Sequence, residues 1–221
     1  MPCPYQAVVF DFDYTLVDSS RGVVTCFNNA LVQLGMVPAE PEAICRTIGL
    51  PLRQCFLDVV GEGQRGLAQG FLDAFRVQAD ALMNPLTELQ PAARAALTRL
   101  HGCGLRMGIV SLKYRFRIGA FLDEQGLLPL FATIVGSEDV AAPKPDPSGL
   151  FEVLRRLQVP AERALYVGDS VVDAETALRA GVDFVAVLTG TTARDAFASF
   201  PALAVLPDLT LLPAVSGCAD E

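Results

Sequence analysis

Two carboxylates one residue apart, Asp11 and Asp13, follow the apolar run Ala7-Val8-Val9-Phe10. Such a run, rich in β-branched valine, reads as a buried strand of a parallel sheet. The acids then stand at its C-terminal end, the edge where open α/β sheets bind ligands. Side chains alternate along an extended segment, so Asp11 and Asp13 point to one side and Phe12 to the other. Acids so placed repel each other unless a cation or a shared proton intervenes. Other polar residues fall just beyond apolar runs or in the loop after one: Ser111, Lys144, and Asp169 with Asp173. Each has a plain structural reading. Asp11 and Asp13 read as turn acids, Ser111 as a helix N-cap, and Lys144 as a solvated loop lysine. Ser170-x-x-Asp173 reads as a capping box. A parallel sheet, however, sends all these strand ends to one edge, and their convergence favours chemistry.

Such a set of residues would suit phosphoryl transfer. Three carboxylates with an open coordination sphere suit a hard divalent cation, and Mg²⁺ fits oxygen ligands that retain water. A serine hydroxyl and a lysine ammonium facing the cation suit a phosphoryl group, with backbone N–H groups at helix starts adding donors. A carboxylate can be the nucleophile, giving an aspartyl-phosphate. Alignment and charge neutralisation then supply most of the catalysis. The single histidine, His101, precedes Gly102 in the last turn of a predicted helix, which argues against a Ser-His-Asp or Cys-His mechanism.

The elements that must hold these residues follow from periodicity. After the first strand, Asp18-Ser19-Ser20 offers N-caps for a helix carrying Val23, Val24, Phe27, Ala30, Leu31 and Leu34 and ending at Gly35. Two shorter helices, Pro38–Ile48 and Leu52–Val60, are divided by Gly49-Leu50-Pro51, and Gln64–Leu82 reads as an amphipathic helix with Leu67, Phe71, Phe75 and Leu82 along one stripe. Residues 17–84 are therefore expected to form an inserted helical cap, with hinges near Leu16–Asp18 and Asn84–Pro85. From Pro91 helices alternate with strands at Leu105–Val110, Phe131–Val135, Ala164–Val167, Phe184–Leu188 and Ala202–Leu206. Asp146-Pro147 starts the helix to Leu157, a short helix is expected near Thr192–Phe200, and Val215–Glu221 reads as a tail. The fold class is α/β, a doubly wound parallel sheet formed by residues 1–16 and 85–221.

Composition bounds the partners. The 221 residues are 52% hydrophobic and carry 17 Lys+Arg against 25 Asp+Glu, a formal charge of −8. The mean hydropathy is +0.39 and the isoelectric point near 4.7. An acidic chain is a poor ligand for nucleic acid or an anionic membrane. The most apolar stretch, Phe200 to Gly217, is interrupted by Pro201, Pro207, Asp208 and Pro213, so no membrane span is expected. The start Met1-Pro2-Cys3-Pro4-Tyr5 lacks the pattern of a signal peptide. Six cysteines without C-x-x-C or zinc spacing fit a reduced cytoplasmic protein.

The motifs together resemble those of the haloacid dehalogenase superfamily of hydrolases, in particular the phosphoglycolate phosphatase-like branch with a helical cap, over essentially the whole chain. Asp11-Phe12-Asp13-Tyr14-Thr15 resembles the first motif, D-x-D-x-T, and Val110-Ser111 the second. Lys144-Pro145-Asp146-Pro147 resembles the third, and Gly168-Asp169-Ser170-Val171-Val172-Asp173 the fourth. One departure is Tyr14, where the family usually has glycine. The resemblance implies a Rossmann-like core with these roles. Asp11 attacks phosphorus and binds Mg²⁺. Asp13 protonates the leaving group, then activates water, and reaches the metal through its carbonyl; crowding by Asp11 would keep it protonated. Asp169 completes the metal ligands, Asp173 orients Lys144 or a metal water, Ser111 and Lys144 hold the phosphoryl oxygens, and Thr15 fixes the turn.

Specificity is expected from the cap through Arg53 in Gly49–Arg53, with Lys113 and Tyr14 as further candidates and a solvated surface as the plainer reading of Arg53 and Lys113. The resemblance implies a small phosphate ester as substrate, phosphoglycolate first, and the expected assembly is a monomer or homodimer. A phosphomutase of the same superfamily would share the core residues, although Thr15 leans towards hydrolysis, and a pyrophosphatase is a further alternative. A dehalogenase has no use for Asp13 or Mg²⁺. A receiver domain would carry its phosphoacceptor after the third strand, without a helical insert, and a silent phospho-ligand binding protein would not keep every chemical position filled.

Overall fold

The computed structural model describes residues 3–218. They form two compact units, one from the chain up to Val17 and from Leu89 onward, the other from Asp18–Glu88. The chain begins with β1 (Ala7–Phe10) and passes over the two-residue strand β2 (Val17–Asp18) into α1 (Ser20–Gln33), α2 (Pro41–Cys45), α3 (Leu52–Val60) and α4 (Ala68–Leu82). It returns over β3 (Glu88–Leu89), which pairs with β2. Then follow α5 (Ala93–Gly102), β4 (Arg106–Val110), α6 (Arg115–Glu124), β5 (Thr133–Val135), α7 (Ser148–Leu157), β6 (Ala164–Gly168), α8 (Val171–Ala180), β7 (Asp183–Val187), β8 (Ala202–Leu206) and α9 (Leu212–Val215).

The six longer strands make one sheet in the order β5-β4-β1-β6-β7-β8, with every pairing parallel. This is the doubly wound α/β fold that the alternation predicts. β1 is buried throughout and sends Val8 and Phe10 to one face, Ala7 and Val9 to the other. α5 and α6 cover the first face with Leu97, Ile118 and Phe121, while α7 and α8 cover the second with Leu150, Val153, Ala174 and Ala177. Gly108 lets α7 come close: a Cβ there would lie 2.6 Å from Val153 Cγ1.

The helical unit has its own core, in which Phe71 lies with ring centroids 4.6 Å from both Phe27 and Phe56. Burying such a ring contributes about 1.5–3 kcal/mol. Two helices are shorter here than their apolar pattern predicts. Residues Glu62–Leu67 form a 3₁₀ turn and Leu67 is exposed, so the buried stripe of α4 runs instead through Ala68, Phe71, Leu72 and Phe75. Gly63 and Gly66 weaken an α-helix there. The expected helix Pro38–Ile48 reduces to α2, with Pro41 in its first turn.

The short helix expected near Thr192–Phe200 is a 3₁₀ turn at Arg194–Phe197. The expected tail is partly packed: Ser216 O accepts a bond of 2.9 Å from Cys3 Sγ, and Cys218 is buried. Residues 1–2 and 219–221, at the ends of the expected leaderless start and tail, lie outside the described residues. No helix among the described residues is long and apolar enough to cross a membrane.

Candidate active site

Register brings the motif residues to one edge. Phe10 pairs with Ile109 on one side and Val167 on the other. Asp11 therefore continues level with Val110 and Gly168, and Ser111 and Asp169 stand one residue beyond. Lys144 arrives from the loop between β5 and α7 and is buried.

Its ammonium donates to Asp11 Oδ1 at 2.7 Å, to Asp173 Oδ1 at 2.6 Å and to the hydroxyl of Tyr166 at 3.3 Å. Tyr166 in turn donates to Asp173 Oδ1 at 2.7 Å. The other oxygen of Asp173 accepts from Ser170 Oγ at 2.5 Å and Ser170 N at 3.2 Å, while Asp173 N donates back to Ser170 Oγ. Asp173 thus gives one oxygen to the capping box and the other to Lys144 and Tyr166. A carboxylate has about four lone-pair sites, and those of Asp173 are filled.

Asp11, Asp169 and Asp173 each offer an oxygen within 4.8 Å of the others, the group of acids among the described residues that could hold a metal ion. Burial pushes the Asp11 carboxyl up to about 7, with Lys144 pulling the other way. Burial also raises Asp169 well above the usual carboxylate range, and the charges of Asp173 and Asp11 add to it. Burial opposes the Lys144 charge, but Asp11 and Asp173 outweigh it and hold that ammonium more firmly protonated than in water. Three buried carboxyls outnumber this one ammonium, and the raised Asp11 and Asp169 show that the pocket resists ionising them without a further cation. Oxygen donors in such a pocket fit a hard divalent cation. Because Asp173 is saturated, Asp11 and Asp169 are the carboxylates best able to turn lone pairs to it. Asp169 accepts a long bond from Thr15 Oγ1, 3.3 Å.

Asp13 faces elsewhere. Lys113 Nζ lies 2.5 Å from its Oδ1 and 5.4 Å from the centroid of the Phe12 ring. Lys113 N also donates to Ser111 Oγ at 3.3 Å, tying this loop to the buried serine. Tyr14 keeps the left-handed turn that glycine would adopt freely, with φ +61°, and its side chain is buried. An L-residue there costs roughly 1–2 kcal/mol. Thr189 Oγ1 donates to Tyr14 O, bracing that turn. Arg53 lies in α3 of the helical unit, exposed, with Nη2 3.3 Å from Gln69 Oε1.

Sequence reasoning passed over Tyr166, Thr189 and Gly190. A Cβ on Gly190 would stand 1.9 Å from Asp169 Oδ2, so the loop after β7 touches the site through bare backbone. For Tyr166 a signal existed: a phenol inside a fully buried strand must find a partner for its hydroxyl.

The chain matches the haloacid dehalogenase-like hydrolase family over residues 8–187. It belongs to that family. Among curated relatives, the phosphoglycolate phosphatase of Rhodospirillum rubrum is 34% identical over 216 residues, 94% of this chain and 89% of that protein. The phosphoglycolate phosphatase of Pseudomonas syringae pv. tomato is 32% identical over 222 residues, 97% of this chain and 80% of that one. A solved haloacid dehalogenase-like hydrolase from Bacteroides fragilis superimposes with a TM-score of 0.90 at 42% identity, covering 94% of this chain and 99% of its own. The matched span includes every residue of the buried cluster, from Asp11 to Asp173.

Proposed function

We propose that this haloacid dehalogenase-like hydrolase is a Mg²⁺-dependent phosphatase for a small phosphate monoester, phosphoglycolate first among candidates, working through an aspartyl-phosphate. The observation that carries this reading is the Lys144 ammonium bridging Asp11 and Asp173, with Asp169 beside them at the C-terminal sheet edge. The names of the relatives support the substrate class.

Asp11 is the nucleophile, attacking phosphorus in line with the leaving oxygen. Lys144 and Ser111 hold the phosphoryl oxygens, and the ammonium neutralises charge as it develops. Asp13 delivers a proton to the leaving alkoxide and later takes one from the water that cleaves the acyl phosphate. Lys113 is assigned to holding the Asp13 carboxylate, and Thr15 and Tyr14 to keeping the turn that presents it. Mg²⁺, held by Asp11, Asp169 and the carbonyl of Asp13, would supply charge neutralisation across the transferred group.

The helical unit is assigned the part of a cap, with Arg53 as a substrate-selecting residue. A cytoplasmic monomer or homodimer acting on a small molecule completes the reading, and six cysteines without a disulfide among the described residues fit that compartment. The test is release of phosphate from a panel of esters with and without Mg²⁺. Phosphoglycolate should be turned over only with the metal. Hydrolysis that persists in excess chelator, or none on any ester, would refute the proposal.

A further inference from the structure

Tyr166 belongs to none of the motifs that define the site, yet its hydroxyl sits between the two groups that handle charge there. It lies in β6, fully buried, on the sheet face covered by α7 and α8. A phenol in that position carries a desolvation cost unless both its proton and its lone pair are used. Both are: the proton goes to Asp173 Oδ1 at 2.7 Å, and the oxygen receives Lys144 Nζ at 3.3 Å.

A lysine ammonium has three protons. In this structure they are directed at Asp11, Asp173 and Tyr166. A phosphoryl oxygen can be bound by Lys144 only if one of these partners yields. Asp173 cannot easily, since its oxygens are occupied on both sides and its charge is the shorter contact. Tyr166 is fixed by its strand and by its bond to Asp173. Asp11 is the partner that must turn away when it attacks phosphorus, and the Lys144 proton it frees then faces the transferred group.

We propose that Tyr166 is a positioning residue: with Asp173 it clamps Lys144 at two points, so that the proton released by Asp11 is aimed at the phosphoryl oxygen in the transition state. This rests on the phosphatase reading above. The clamp acts on the geometry of charge stabilisation, so its removal should be felt more in the transition state than in the bound ground state.

The experiment is Tyr166→Phe, which deletes one oxygen and keeps the ring. The expected result is a kcat about 10-fold lower with KM within about twofold. Orthovanadate, which adopts the five-coordinate geometry of the transition state, should inhibit about 10-fold more weakly, while inhibition by inorganic phosphate should stay within about twofold. Should the Phe variant not fold, shown by loss of its thermal transition, Asp173→Asn removes the charge that holds the Tyr166 hydroxyl and the second point of the clamp, and should show the same split between vanadate and phosphate inhibition. An unchanged kcat, or equal weakening of vanadate and phosphate, would overturn the clamp. Wild-type turnover is the control that separates the two ideas. If the wild type hydrolyses no ester, the phosphatase reading fails, and the clamp, which rests on it, falls as well.

Discussion

Two lysines meet carboxylates at the same edge of the sheet, in different surroundings. Lys144 is enclosed by two acids and a phenol, and the exposed fraction of its side chain is 5%, against 5% for Asp11 and 1% for Asp173. Lys113 is itself covered, but its partner Asp13 keeps 16% of its side chain exposed, and its other neighbour is the face of Phe12. An ion pair sealed in the interior is costly to break, because removing one partner strands the other without water. A pair with one member at the surface can part, with solvent replacing the contact. The first arrangement suits a fixed electrostatic frame. The second suits the role proposed for Asp13, exchanging protons with leaving group and water.

The largest effect is expected at Asp11, where the frame meets the reaction. Asp11→Asn cannot accept the phosphoryl group and should lower turnover by about 10⁴-fold or more, followed as phosphate release; near-normal rates would remove it from the nucleophile's role.

The contrast between the lysines is tested by matched substitutions. Lys144→Met leaves Asp11 and Asp173 buried without their cation and should cost about 3–5 kcal/mol of stability in denaturant unfolding. Lys113→Met should cost about 1–2 kcal/mol. Equal losses would erase the distinction.

Gly190→Ala drives a methyl into Asp169 and should weaken Mg²⁺ binding about 10–100-fold by titration calorimetry, with Asp11, Lys144 and Asp173 untouched. Undiminished affinity would mean that Asp169 does not hold the metal.

The smallest effect concerns pH. Burial raises Asp11 from 3.8 to about 7. An acid raised in the folded state favours folding at low pH, and that contribution is lost as pH rises through about 7. Mg²⁺ needs the ionised carboxylate, so the gain in melting temperature on adding it should be greater at pH 8 than at pH 5. The same gain at both values would contradict an Asp11 ligand.

Much of this arrangement is legible in the sequence. β1 is four apolar residues followed by Asp11, and burial leaves that segment little choice. The strand order then gathers Ser111, Lys144 and Asp169 because parallel crossovers return every strand in the same sense. Where reading failed, the cause was physical. Tyr166 passes for one more apolar residue in Ala-Leu-Tyr-Val-Gly, since periodicity registers its ring and not its hydroxyl. Gly190 has no side chain to announce a contact. Lys113 is not the solvated surface lysine of the plainer reading, and sequence cannot reveal that Asp13 Oδ1 lies 2.5 Å from its ammonium. Leu67 continued an apolar stripe that the neighbouring glycines had already broken.

Asp173 has one oxygen on the first turn of α8 and the other on Lys144. A molecule whose α8 has frayed at that end has also lost one of the two clamps on its lysine. Warming should therefore extinguish turnover and melt that turn in a single event, and no active species with a loosened α8 should accumulate along the way.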